Sequence, residues 1–176
     1  MSNLSVLGFG KSCHGGSITT LSCSDPQANT GNLPTYDWPV AELPVSTLPF
    51  AANEHANMAE EQRCLEAARQ TILQRRSTGK DVAAMIIEPL SAIGMHSATP
   101  TFFKQLRKLA KDEGIPFIVD ETWAGFGQTG KMWAHDYWYL TDRDGGCPDI
   151  VTFGGKAGIS GFYSTYEFRG DPANLG

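Results

Sequence analysis

Three short apolar runs, each closed by polar or charged residues, limit what this chain can fold into more than any other feature of it. Asp81 starts the first, Val82-Ala83-Ala84-Met85-Ile86-Ile87, which ends in Glu88-Pro89. The second, Pro116-Phe117-Ile118-Val119, ends in Asp120-Glu121, and the third, Asp149-Ile150-Val151-Thr152-Phe153, ends in Gly154-Gly155-Lys156. None alternates apolar with polar residues as a strand with one wet face would, so each is expected to be a strand covered on both sides. Pro89 fits the first stop, because proline has no N–H to give to a ladder.

Helical periods separate these runs. From Ala56 to Arg76, Cys64, Leu65, Ala68, Ile72 and Leu73 recur on one face among Glu, Gln and Arg, which predicts a long surface helix. Pro100 suits the first turn of a second helix, with Phe102, Phe103, Leu106, Leu109 and Ala110 inward, Lys104, Arg107, Lys108 and Lys111 outward, and Gly114 as its stop. Strand, helix and strand in this rhythm imply parallel strands. The expected fold class is therefore α/β, a three-layer, doubly wound and mainly parallel sheet. Ligands of such sheets bind at the carboxyl ends of the strands, where Glu88, Asp120 and Lys156 all stand. Residues 29–52 carry Pro34, Pro39, Pro44 and Pro49 without usable periodicity and are expected to form a surface excursion.

Charge and cysteine content exclude some functions. Fourteen basic against nineteen acidic side chains give a net charge of −5, which supplies no general attraction to nucleic acid or an anionic membrane. No stretch has the roughly 18 apolar residues of a membrane span. Cys13, Cys23, Cys64 and Cys147 lack metal-ligand spacing and are expected to be reduced thiols. Met1 to Ser24 is free of acidic residues, but Lys11 is its only Lys or Arg, so it lacks the arginines of an organellar transit segment.

An acid and a lysine at neighbouring strand ends suit one kind of chemistry. A lysine amine can join an aldehyde cofactor covalently, and a partly buried carboxylate can keep a pyridine nitrogen protonated, which turns pyridoxal phosphate (PLP) into an electron sink. Asp120 and Lys156 fit those two roles. Taken singly, a strand-terminal Asp as a loop cap and a Lys after two glycines as a solvated side chain are the commoner outcomes.

The wording around these residues is more specific. Ile87-Glu88-Pro89, Phe117 to Glu121, Gly125-Phe126-Gly127-Gln128-Thr129-Gly130-Lys131-Met132-Trp133-Ala134-His135, and Pro148 to Lys156 resemble consecutive blocks of the class III aminotransferases. Tyr36-Asp37-Trp38-Pro39, Gly161-Phe162-Tyr163 and Glu167-Phe168-Arg169 look like the 4-aminobutyrate (ω-amino acid) branch. The resemblance implies that residues 1–176 are a partial PLP-binding large domain, an incomplete fold type I core. It also implies that Asp120 pairs with the pyridinium nitrogen, that Lys156 carries the cofactor, and that His14 and Thr122 support the cofactor site. Its further implications are an amino acid and a 2-oxo acid as substrates, a protein partner or homo-oligomer, and a mitochondrial setting.

Five positions depart from that pattern. Cys13 stands for the aromatic that stacks on the cofactor ring, and Gly16 for the arginine that grips the substrate carboxylate. Ile93 replaces a substrate-gating glutamate, Trp123 a glutamine that contacts the cofactor oxygen, and Gly155 the Ser or Thr before the lysine. By the same resemblance, the family's phosphate-binding segment is expected to precede the part matched here and its small C-terminal domain to follow it. The alternative expectation is a catalytically silent aminotransferase-fold chain that serves as a structural or interaction subunit of a larger assembly.

Overall fold

The computed structural model describes residues 3–156 and 158–169. Six strands form one sheet in the order β2-β1-β3-β4-β5-β6. They are β1 (Leu4–Phe9), β2 (Val40–Ala41), β3 (Asp81–Ile87), β4 (Phe117–Asp120), β5 (Ile150–Phe153) and β6 (Gly161–Ser164). The three apolar runs become β3, β4 and β5, which are adjacent and parallel as expected, and β6 closes that edge antiparallel to β5.

Helices α2 (Glu54–Ser77) and α3 (Pro100–Asp112) cover one face. Leu7 and Phe9 of β1, Met85 and Ile87 of β3, Phe117 and Val119 of β4 and Val151 of β5 pack there against Ala68, Ile72, Phe102 and Phe103. The ladder between β1 and β3 shifts register between Ser5 and Val6, skipping Ala83. That extra residue resets the parity of β3, so that Val82 and Met85 both reach the core cluster although three residues apart. Trp138, in the long connection from β4 to β5, completes the cluster by stacking on Phe103 with ring centroids 4.1 Å apart. The short helix α1 (Ile18–Ser22) takes the other face. Gly8 alternates away from the core residues Leu7 and Phe9, and a Cβ on it would lie 1.8 Å from the carbonyl oxygen of Cys23. The end of α1 thus packs directly on the β1 backbone, and only glycine fits beneath it.

Helices on opposite faces of β1 make the sheet doubly wound. The order 2-1-3-4-5 reverses direction at β1, so the loops after β1 and β3 diverge and leave a crevice at their carboxyl ends.

Three expectations need correction. The Pro-rich segment is not wholly a surface excursion: Val40 and Ala41 pair in parallel with Gly8 and Phe9, while Ala41 and Leu43 join the core. Pro39 lacks a donor, but its carbonyl accepts from Gly8 N at 3.1 Å, which lets an edge strand begin there. Leu73, expected on the buried face of α2, is exposed. Arg107, expected outward on α3, is buried in a bidentate pair with Asp149 at 2.7 and 3.0 Å. The same carboxylate accepts from Phe117 N at 2.8 Å, so this pair joins α3 to the starts of β4 and β5.

Candidate active site

Asp120 is the last residue of β4 and faces away from the α2/α3 core, with Thr152 of β5 beside it in register. Its Oδ2 meets His14 Nδ1 at 2.8 Å, and its Oδ1 accepts from Thr152 Oγ1 and from Thr122 N, each at 3.0 Å. Both partners of the His14–Asp120 contact are almost fully buried. Burial pushes the Asp120 carboxyl up, but the hydrogen bond and charge of His14 and the bonds to Thr122 outweigh it and hold the group below the usual carboxylate range. Asp120 is thus a buried anion with three donors. A carboxylate offers about four acceptor positions, so roughly one remains for a further N–H.

His14 reaches Asp120 from the loop after β1. Ser24 Oγ accepts from His14 N at 2.9 Å, and the preceding residue is tied down as well, since Cys13 N donates to Glu88 Oε2 at 3.1 Å. Glu88, at the end of β3, also accepts from Ala92 N at 3.1 Å and so links the two loops that flank the crevice. Burial raises its carboxyl to about 7, against the opposing pull of the Ala92 amide and of His14.

Lys156 follows β5 and is exposed; its Nζ donates to the carbonyl oxygen of Trp123. The amine is therefore tied to the loop that leaves Asp120, three residues beyond it, while no hydrogen bond joins Lys156 to Asp120 or His14 among the described residues. Thr122 is exposed, and its backbone N–H and its side chain both lower the Asp120 carboxyl. The Trp123 side chain is 55% exposed. Gly16 has open space around its Cβ position.

Two residues of this region escaped sequence reasoning. Thr152 is the one polar residue within the apolar run of β5, and a parallel register with β4 would have set it beside Asp120. Glu121 has its carboxylate fully buried, accepting from Ala134 N at 3.1 Å, His135 N at 2.8 Å and His135 Nδ1 at 2.7 Å. It folds the Gly125 to His135 block back against the end of β4, and its only signal was an acid ending one block and a histidine ending the next.

The family model for aminotransferase class-III matches residues 2–171. The chain belongs to the class III aminotransferases. It is 40% identical over 169 residues to a 4-aminobutyrate aminotransferase of Dictyostelium discoideum, covering 95% of this chain and 33% of that protein. It is 37% identical over 167 residues to the mitochondrial 4-aminobutyrate aminotransferase of Homo sapiens, covering 94% and 33%. Among solved structures, a lysine aminotransferase from M. tuberculosis superposes with a TM-score of 0.79 at 30% identity, over 91% of this chain and 35% of that one. A transaminase from the marine bacterium Virgibacillus, at 22% identity and a TM-score of 0.69, shares the fold. The chain spans about a third of the length of the curated relatives it matches. Several of those relatives are named as mitochondrial. No helix among the described residues is long and apolar enough to cross a membrane.

The class III family is PLP-dependent, and part of this site suits that cofactor. A desolvated Asp120 that remains anionic with about one free acceptor position matches a protonated ring nitrogen. Lys156 supplies a primary amine at the same carboxyl end of the sheet, bonded to the loop that leaves Asp120.

Proposed function

We propose that this chain carries the cofactor-binding centre of a PLP-dependent transaminase of the ω-amino-acid type, acting between an amino acid and a 2-oxo acid. The observation that carries the reading is the buried His14–Asp120 contact at 2.8 Å, with Thr122 and Thr152 completing the shell of the carboxylate. PLP, when bound, supplies an electron sink that stabilises negative charge developing beside a substrate amine. Asp120 would hold the proton on the ring nitrogen, and His14 would keep Asp120 ionised and oriented. The amine of Lys156 would hold the cofactor carbonyl and exchange protons at Nζ, once freed from the Trp123 carbonyl. A mitochondrial setting follows from the names of several relatives and is part of the proposal, as is an oligomeric or hetero-complexed state.

A second reading has its own support. Lys156 is exposed with its Nζ engaged by Trp123, and Gly16 offers no guanidinium for a substrate carboxylate. These features favour a chain that retains the fold as a structural subunit. Adding PLP to the purified protein and comparing it with Lys156→Ala separates the two. A yellow band that disappears in the variant supports the transaminase reading, and a spectrum identical in both overturns it in favour of the structural one.

A further inference from the structure

Glu88 is a buried acid for which the chemistry above has no task. Its residue is 2% exposed, and although Oε2 accepts from Cys13 N and Ala92 N, its Oε1 is buried without a partner. His14 Nε2, on the side of the imidazole away from Asp120, is likewise buried without a partner. Unsatisfied buried polar atoms are rare enough that each calls for an explanation. Here two occur on residues joined by a short path, because the amide that Glu88 holds belongs to Cys13, the neighbour of His14. The loop after β3 from Pro89 to Ile93 brings no ionisable group. The titratable groups that act on Glu88 are His14, from the loop after β1, and Asp120, at the end of β4.

We infer that Glu88 is a positioning residue for the His14–Asp120 pair. Its carboxyl group fixes the loop that carries His14, through the Cys13 amide, and its charge governs how firmly the imidazole keeps its second proton. Carboxyl, imidazole and carboxylate then run from β3 through the β1 loop to β4, across the crevice where the sheet reverses direction. When Glu88 is ionised, its charge and that of Asp120 both attract a proton on His14, and a proton held there favours an ionised Asp120. When Glu88 takes up a proton, that support is withdrawn, and the readiness of Asp120 to accept a ring N–H changes with it. The inference deepens the transaminase reading and rests on it only for the use to which the pair is put.

The test follows His14 rather than turnover, in the whole protein. With histidine labelled at Cε1, four imidazole signals are expected, and His14→Gln assigns the one of interest. In the unmodified protein the His14 signal should respond in two steps, one of them reporting protonation of Glu88 at about pH 7. In Glu88→Gln, which keeps an acceptor oxygen for both amides but no charge, the Glu88 step should vanish and the remaining midpoint should fall by about half a pH unit or more. A single-step titration of His14 in the unmodified protein overturns the inference without need of the variant. Identical curves for the unmodified protein and Glu88→Gln overturn it as well. Neither outcome depends on whether PLP binds, so failure of this inference and failure of the transaminase reading are told apart by the absorbance experiment.

Discussion

An acid kept ionised inside a protein and an acid pushed toward neutrality both interact with one histidine, His14, and their dependence on pH runs in opposite directions. Asp120 has a folded pKa below its ordinary value, so its contribution to stability is present above the unfolded pKa of about 3.9 and is lost as the pH falls through the lower folded value. His14→Ala removes the main support, and unfolding in denaturant at neutral pH should show a loss of about 1 to 3 kcal/mol, shrinking as the pH drops below about 4. Glu88 behaves in the reverse sense. Its folded pKa is raised from 4.5 to about 7, so the folded state binds more protons than the unfolded one in that window. Its cost is absent below the lower value, grows as the pH rises and is complete above the upper one. Glu88→Gln should therefore gain stability relative to the unmodified protein on going from pH 5 to pH 8, by on the order of 1 to 3 kcal/mol. An equal difference at both pH values would contradict this. At Gly16, the open space around the Cβ position leaves room for a long side chain. Gly16→Arg should tighten binding of a carboxylate-bearing inhibitor about tenfold or more in isothermal titration, if this loop faces the substrate as the family resemblance implies.

Among the elements, the most demanding contact is that of α1 on β1. Gly8→Ala would drive a methyl group into the Cys23 carbonyl, and backbone on both sides leaves no cheap relief. We expect a loss of more than about 3 kcal/mol or failure to accumulate in soluble form, whereas Gly16→Ala should change stability by less than about 0.5 kcal/mol. The Arg107–Asp149 pair sets a comparable constraint between α3 and β5. Arg107→Ala strands a carboxylate at the mouth of two strands and should cost about 3 to 5 kcal/mol by chemical denaturation. Strands β3 to β5 were legible because burial on both faces makes them continuous apolar runs. Strand β1 was not, since Ser5 and Gly8 interrupt Leu4–Phe9 and each is explained only by a partner distant in sequence: Ser5 Oγ donates to Asp81 O at 3.2 Å, and Gly8 lies under α1. Strand β2 has two residues inside a proline-rich segment and exists only because β1 supplies a ladder. In the site, the apolar runs set Asp120 and Lys156 at strand ends, and the motifs around them singled the two residues out. The engagement of Lys156 with the Trp123 carbonyl could not be read in this way, because it depends on the course of two loops.

Over the whole molecule, apolar side chains gather beyond β5. Phe162 is 66% and Tyr166 86% exposed, with Ile159 and Tyr163 nearby, on and around a strand whose outer edge has no partner among the described residues. Edges of that kind invite pairing with another chain. Sedimentation velocity over a range of concentrations should show association, and a single monomeric species throughout would contradict it. The order of the strands also bears on how the sheet is made. Strand β1 lies inside the sheet, yet its main neighbour is β3, and Leu4 pairs with Asp81. A ribosome adding about 5 to 20 residues each second needs roughly 4 to 15 s to deliver that neighbour after β1 has been made. For part of this interval the edge of Leu4–Phe9 that will take β3 is without its neighbour, since Val40 and Ala41 pair only with Gly8 and Phe9 on the other edge. The wait of β1 for β3 is thus a step open to misassembly, and a chaperone that shields nascent apolar segments would act on it.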